Sequence, residues 1–247
     1  MESNKSYFLF FKEKKQISIE HFNNKFFLLT INKILNIIFP PSCVFCGKIC
    51  MENEGFLCID CINIFEKYKL KNRIRRVKED NKNYYEEMYL YEYKDVVRKF
   101  ILGYKFNDKS YMYKGFVRLI LNDKKIYKKI FSYDIITSVP IHSKRKKLRG
   151  YNQSKLIAKE IANIIGIDYK DLVEKVINNN SQSELNKENR IKNVKDVYKV
   201  KNSIFLDKKI LIIDDIYTTG STLNEVAKEL LKITKKENIG ILTIAKD

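Results

Sequence analysis

Two adjacent carboxylates, Asp214 and Asp215, directly follow an unbroken apolar run over residues 210–213. Because an ionised acid is costly to bury without a partner, we expect the pair at the carboxyl end of a buried strand, where α/β sheets bind ligands. The next residues offer hydroxyl groups, backbone N–H donors and a glycine that allows close approach of a ligand: Thr218, Thr219, Gly220, Ser221 and Thr222. This pattern predicts an anion-binding site.

The stretch after the hydroxyl-rich segment predicts a helix. Its apolar residues recur at the spacing of one helical face: Leu223, Val226, Ala227, Leu230 and Leu231. The amino end of this helix would direct its dipole at the same anion. The alternative is a turn capped by Ser or Thr before an ordinary helix, but capping does not need the doubled acid. The order of strand, acids, loop and helix favours a phosphate-binding site.

A second strand and helix enclose a cluster of positive charge. Residues 133–139 predict a buried strand that ends at Pro140, and residues 157–165 keep helical spacing. Between them, after Ile141 and His142, lies a predicted loop with five cations: Lys144, Arg145, Lys146, Lys147 and Arg149. Such a loop repels itself unless an anion binds there; a basic surface turn is the alternative. We interpret His142 as a structural or substrate-contact residue and assign no general acid or base.

Four of the five cysteines form two Cys-x-x-Cys pairs separated by eleven residues: Cys43, Cys46, Cys58 and Cys61. Two such pairs can place four thiolates around one Zn²⁺ ion, so the spacing predicts a structural zinc site. A redox Cys-x-x-Cys is the alternative, but it does not account for the second pair. Cys50 lies outside the pattern and is interpreted as a thiol in the loop between the two pairs.

The composition fits a globular protein, with 45% apolar residues and a formal net charge of +18. Such a charge favours a polyanionic partner, but only eight of the 48 cations are arginines, so a generic lysine surface explains it equally well. Residues 1–20 do not resemble a secretory signal, and the most apolar stretch, 26–39, is too short to span a bilayer. We therefore expect a cytoplasmic protein.

The remaining patterns predict three parts. Residues 1–25 form an extension without a clear period. Residues 26–83 contain an amphipathic helix, the cysteine pairs and a basic connector, and residues 84–247 form an α/β domain. Within that domain we expect a strand near residues 85–93 and helices from about residue 95 and residue 111.

The run from Asp214 to Thr222 resembles the phosphoribosyl pyrophosphate (PRPP) motif of type I phosphoribosyltransferases. The segment from Val139 to Ser154, which contains Arg-Gly-Tyr-Asn-Gln-Ser, resembles the signature of the ComF family of competence proteins. The cysteine module after Pro-Pro also resembles the amino-terminal part of that family. A downstream run resembles the family too, through Gln182, Leu185, Arg190 and Asn193. The resemblance covers about residues 26–247, and Tyr151 stands where Phe is more usual.

This resemblance implies a parallel-sheet type I phosphoribosyltransferase fold with a small amino-terminal zinc finger. It implies that Asp214 and Asp215 bind the ribose 2′ and 3′ hydroxyls and that residues 218–222 hold the 5′-phosphate. Pro140, Ile141 and Arg149 would complete the PRPP site. Lys144 and Arg145 are the candidates to stabilise the leaving pyrophosphate together with Mg²⁺.

The resemblance further implies a role in natural transformation, with phosphoribosyl transfer to an unidentified acceptor. Single-stranded DNA and a competence helicase are the candidate macromolecular partners. One alternative is a catalytically silent module that senses PRPP or a nucleotide and binds single-stranded DNA. Another is a nucleobase salvage or amido-type phosphoribosyltransferase, which would not require a zinc finger.

Overall fold

The computed structural model describes residues 40–50, 56–106, 109–177, 197–201, 205 and 207–247. The chain divides into two compact units, residues 1–41 and residues 42–247. The helices and strands of the described residues all belong to the second unit. The predicted extension 1–25, the predicted helix 26–39 and the run from 182 to 193 lie outside the described residues.

A six-stranded sheet forms the centre of the second unit, in the order β1-β2-β8-β7-β3-β4. A separate antiparallel pair is formed by β5 and β6. The strands are β1 (Ile74–Arg76), β2 (Glu86–Glu92), β3 (Ile135–Ser138), β4 (Asp168–Tyr169), β5 (Val173–Lys175), β6 (Tyr198–Val200), β7 (Ile210–Tyr217) and β8 (Ile239–Lys246). All neighbours in the large sheet are parallel except β1, which runs antiparallel to β2 at one edge. The expected α/β fold with a parallel sheet is confirmed, with this antiparallel edge as an addition.

Seven α-helices belong to the described part of the chain, together with 3₁₀ turns at Ser110–Met112 and Lys236–Asn238. The helices are α1 (Ile59–Glu66), α2 (Asp95–Phe106), α3 (Tyr113–Asn122), α4 (Lys124–Ile130), α5 (Ser143–Arg149), α6 (Gln153–Ile165) and α7 (Ser221–Leu230). Helices cover both faces of β7. Leu211 and Ile213 belong to the core beneath α2, α3 and α6, and Ile210 and Ile212 belong to the core beneath α7. Burial on both faces explains why β7 begins as an unbroken apolar run.

The cysteine segment packs into the same core as the central sheet. Cys43, Cys58 and Cys61 are buried in the cluster that also contains residues of α2, α3 and α6. Phe45, between the first two cysteines, stacks on Phe65 with ring centroids 5.1 Å apart and on Phe100 at 4.7 Å. The aromatic contacts connect the cysteine segment directly to the helices that flank the sheet.

Two local expectations were wrong. The predicted cationic loop is instead the short helix α5, because the His142 ring accepts a hydrogen bond from the Lys144 N–H at its start and Gly150 ends it with a φ of +75°. The acid pair was expected to end its strand, yet β7 continues to Tyr217 because pairing with β8 extends to Lys246.

Candidate functional site

The acid pair lies in the last part of β7, and each carboxylate has a different polar partner. The Ser154 hydroxyl donates a hydrogen bond of 2.7 Å to Oδ1 of Asp214. The Lys105 ammonium lies 2.9 Å from Oδ1 of Asp215, whose exposure is only 7%. A carboxylate this buried is stable only with such a partner. The structure therefore holds two carboxylates side by side with part of their charge compensated.

The two carboxylates differ in their electrostatic environment. Burial raises the pKa of Asp214 from 3.8 to about 7, and the neighbouring charge of Asp215 adds to this, while the Ser154 hydrogen bond and the Lys105 charge oppose it. Asp214 therefore changes its protonation state near neutral pH. A ligand hydroxyl that donates to this carboxylate would favour the ionised form.

The residues that follow β7 form a cradle at the start of α7. Gly220 has a φ of +71° and precedes the first helical residue, Ser221, whose N–H donates a 3.3 Å hydrogen bond to the Thr219 hydroxyl. The Thr219 hydroxyl lies 2.8 Å from the Ser221 hydroxyl, and Thr218, Thr219, Ser221 and Thr222 are all partly exposed. The first N–H groups of a helix have no intrahelical partner and can bind an anion. The predicted anion-binding residues thus lie together at one helix terminus.

Replacing Gly220 by alanine is expected to disrupt this cradle. A Cβ atom at Gly220 would lie 2.5 Å from the Tyr217 hydroxyl, which cannot retreat easily because it hydrogen-bonds Tyr84 at 3.2 Å and Glu87 at 3.4 Å. With the unfavourable positive φ, we expect a loss of roughly 1–3 kcal/mol in the free energy of unfolding. Thermal denaturation measures this loss.

The matched control is Gly103→Ala in α2, where an added Cβ meets nothing within 4 Å. This variant should be stabilised by about 0.5–1 kcal/mol, as expected for Gly to Ala in a helix. Equal melting temperatures for the two variants would show that the loop does not need its glycine.

The Arg-Gly-Tyr-Asn-Gln-Ser motif connects the site to α2. The Tyr151 hydroxyl donates to the main-chain oxygen of Tyr104, and the Gln153 side-chain amide donates to that of Lys105 at 3.4 Å. In return, the Tyr104 hydroxyl donates to the Gln153 carbonyl at 2.9 Å. These bonds fix the end of α2 from which the Lys105 side chain reaches Asp215.

The same motif also connects the site to β3. The Asn152 amide donates to the Val139 carbonyl at 3.0 Å, just beyond the end of β3, while its Oδ1 atom caps α6. Because β3 and β7 are parallel neighbours, with Ser138 paired to Ile213, their carboxyl ends share one edge of the sheet. Partly exposed Pro140 and Ile141 follow β3 at this edge. The structure thus brings the two predicted segments together.

The predicted cations of α5 differ in their exposure. Lys144 is exposed, whereas Arg145 and Arg149 are partly buried. The Arg149 guanidinium lies 4.9 Å from the centre of the Phe106 ring. Burial lowers the pKa of Arg149, while the charge of Asp215 opposes this effect, so Arg149 lies within electrostatic range of the acid pair. Positive charge therefore extends from α5 toward the end of β7.

Sequence reasoning missed three residues of this region: Lys105, Lys175 and Tyr198. Burial lowers the pKa of Lys175 to about 8, and the nearby charge of Arg145 adds to this. The Lys175 ammonium lies 5.6 Å from the centre of the buried Tyr198 ring. No local pattern marks these residues, because folding brings them to the site from α2, β5 and β6. The sequence places Lys105 at the end of an amphipathic helix, but this position alone does not indicate a binding-site residue.

The four predicted cysteines form a cluster with the dimensions of a metal site. The Sγ atoms of Cys43, Cys46, Cys58 and Cys61 all lie within 4.8 Å of one another, and those of Cys46 and Cys58 are 3.7 Å apart. Tetrahedral Zn²⁺ with sulfur ligands places the sulfurs about 3.8 Å apart, so the residues present fit this ion. The clustering predicted from the spacing is confirmed. Cys50 is buried nearby and is not one of the four.

Among the helices of the described residues, none has the length and apolarity needed to cross a membrane.

Comparison with known proteins agrees with this geometry. The family model of the phosphoribosyl transferase domain matches residues 152–247. The competence protein ComFC of Streptococcus pneumoniae is 26% identical over 221 residues, which cover 79% of this chain and 96% of that protein. The competence protein F of Haemophilus influenzae is 29% identical over 143 residues, which cover 56% of this chain and 62% of that protein.

A further relative, the competence protein ComFC of Bacillus subtilis, is 24% identical over 208 residues, which cover 82% of this chain and 76% of that protein. The matched domain ends with β7, the acid pair, α7 and β8, and the cysteine cluster precedes it. The chain is therefore similar over most of its length to the ComFC-type competence proteins, with a type I phosphoribosyltransferase fold and a four-cysteine cluster near its amino end.

Proposed function

We propose that this protein binds PRPP together with Mg²⁺ and transfers the 5-phosphoribosyl group to an acceptor, with release of pyrophosphate. The observation that carries the proposal is the meeting of three features at one sheet edge. They are the acid pair of β7, the glycine-initiated start of α7 and the cationic helix α5 behind the adjacent β3. Each feature fits a different part of PRPP.

In this proposal Asp214 and Asp215 accept hydrogen bonds from the ribose 2′ and 3′ hydroxyls. The N–H groups and hydroxyls of residues 218–222 bind the 5′-phosphate, which suits the positive end of the α7 dipole. The loop would fix the phosphate, and the acids would fix the rotation of the sugar ring. The binding energy would thus orient C1 of the ribose toward the acceptor.

The reaction breaks the bond between C1 and a pyrophosphate oxygen, and the electron pair leaves with pyrophosphate. The acceptor forms the new bond to C1 and loses a proton. Lys144 and Arg145 would stabilise the negative charge that develops on the leaving group, with Arg149 near the acid pair. Mg²⁺ would arrive with PRPP as part of the substrate and would neutralise part of the pyrophosphate charge.

The cellular role that we propose is the handling of incoming DNA during natural transformation, and the similarity to competence proteins supports it. The net charge of +18 suits a polyanionic partner such as single-stranded DNA, and a competence helicase is a candidate protein partner. In this proposal the protein acts in the cytoplasm.

Pyrophosphate release from PRPP tests the transfer step. The purified protein is supplied with PRPP, Mg²⁺ and a panel of acceptors that includes nucleobases and single-stranded DNA. We expect acceptor-dependent release that falls when Lys144 and Arg145 are both replaced by methionine. Tight PRPP binding with no release for any acceptor would instead favour a catalytically silent sensor.

The affinity for PRPP should depend on pH in a defined direction. Because burial, aided by Asp215, raises the pKa of Asp214 to about 7, the carboxylate is mostly protonated below that value. A protonated acid cannot accept as well from the ribose hydroxyls, so binding should strengthen as pH rises through 7. Replacing Asp214 by asparagine should flatten this part of the profile. An affinity that falls over the same range would contradict the assignment.

A further inference from the structure

We propose that Lys105 is a positioning residue of the proposed PRPP site: it holds Asp215 in place and compensates the charge of the acid pair, so that both carboxylates can accept ribose hydroxyls. This inference rests on the proposed function. It assigns a role to a residue of α2, a helix that lies outside the PRPP motif and outside the cationic segment.

Lys105 and Asp215 form a direct ion pair. The Lys105 ammonium lies 2.9 Å from Oδ1 of Asp215, and the side chains are only 20% and 10% exposed, respectively. Two adjacent carboxylates at a buried strand end repel each other and are poorly solvated. The Lys105 ammonium beside Asp215 offsets this repulsion and so favours the ionised form of Asp214.

The backbone of Lys105 is held in place by contacts that do not involve Asp215. Gln153 donates to its main-chain oxygen, and the preceding residue, Tyr104, accepts from Tyr151 and donates to Gln153. These anchors come from the segment that also supplies Ser154, the hydrogen-bond donor to Asp214. One connected set of hydrogen bonds therefore places both partners of the acid pair.

Lys105 also affects the pKa of Asp214. Burial and then Asp215 raise its pKa to about 7, whereas Ser154 and Lys105 hold the pKa lower. Tyr198 of β6 also lies within electrostatic range of Asp214 and of Arg145. Removal of the Lys105 charge should therefore shift the Asp214 titration to higher pH. A purely structural lysine would not have this effect.

The test compares PRPP binding by the wild type with that of three variants, by calorimetry in saturating Mg²⁺ between about pH 6 and pH 9, on either side of the Asp214 titration. Lys105→Met removes the charge, and Lys105→Arg keeps it. Lys99→Met, an exposed lysine of the same helix, is the matched control. Because the affinities of the wild type and the variants are compared at equal pH, the effect of the titration of PRPP itself cancels.

We expect Lys105→Met to bind about fivefold more weakly at pH 7 and about tenfold more weakly near pH 6, as a rise of about one unit in the pKa of Asp214 would produce, with the difference in affinity disappearing toward pH 9. Lys105→Arg and Lys99→Met should stay near the wild type. Equal binding by Lys105→Met and Lys99→Met would overturn the inference. A loss of the same size at every pH would also overturn it, because it would indicate a general structural effect.

A second measurement does not depend on PRPP. The Asp214 carboxyl is titrated by ¹³C NMR in the ligand-free protein and assigned by comparison with Asp214→Asn. An upward shift of its pKa in Lys105→Met supports the proposed coupling, and an unchanged titration overturns it. If the wild type fails to bind PRPP, the proposed function fails, while this titration still decides whether Lys105 controls the acid pair.

Discussion

Replacing Asp214 by asparagine is expected to weaken Mg²⁺-dependent PRPP binding by about one to two orders of magnitude, since hydrogen bonds to a charged group are lost. The same variant should be more stable than the wild type. Burial, aided by Asp215, raises the pKa of Asp214 from 3.8 to about 7, so the folded protein resists its ionisation. Loss of binding with gain of stability would mark a residue kept for its ligand.

The stability gain has a specific pH dependence. Because the folded pKa of Asp214 is raised by burial and by Asp215, from 3.8 to about 7, its contribution to stability is present at low pH and disappears as pH rises through that range. The advantage of Asp214→Asn in melting temperature should therefore grow from about pH 4 to about pH 7 and then level off. Asp168→Asn, an exposed acid at the edge strand β4, is the control and should show neither effect. A variant that is less stable than the wild type at pH 8 would contradict the account.

Replacing Cys43 by serine is expected to remove the bound metal and to lower the melting temperature by about 10 °C or more. The reason is that the cysteine segment belongs to the main core, where Phe45 stacks on Phe65 and Phe100. Loss of the metal would release this segment from α2 and α3. Elemental analysis and thermal denaturation of the same samples measure both effects.

Cys50→Ser is the matched control, because Cys50 is buried in the same core but is outside the four-cysteine cluster. It should retain one zinc ion per chain. A Cys43→Ser protein that still holds one zinc ion per chain would show that the four cysteines are not the ligand set. A wild type that lacks metal and cycles between thiol and disulfide would favour the redox interpretation.

Local patterns predicted the parts of the site that are contiguous in sequence. The apolar run, the acid pair, the glycine turn and the helix are consecutive, and each has a local physical signature. The cysteine spacing likewise predicted the cluster, since two short knuckles restrict where four sulfur atoms can lie. The structure places these residues together, while their roles in binding remain proposals.

Patterns failed where the deciding contact is not local. Residues 143–149 have no amphipathic period, and their one apolar side chain, Leu148, is 85% exposed, so hydrophobic spacing did not indicate the helix α5. The contact of Lys105 with Asp215 joins positions far apart in sequence. It depends on how the end of α2 is held by Tyr151 and Gln153. The sheet order, which places β8 between β2 and β7, is also a property of the whole fold.

The central claim is that the end of β7 and the start of α7 bind PRPP. The most direct measurement is a calorimetric titration of the zinc-loaded protein with PRPP, with and without Mg²⁺, beside a variant in which Asp214 and Asp215 are both replaced by alanine. We predict saturable, Mg²⁺-dependent binding by the wild type and none by the variant, with unchanged zinc content. Equal affinity of the two proteins, or no binding by the wild type, would contradict the account.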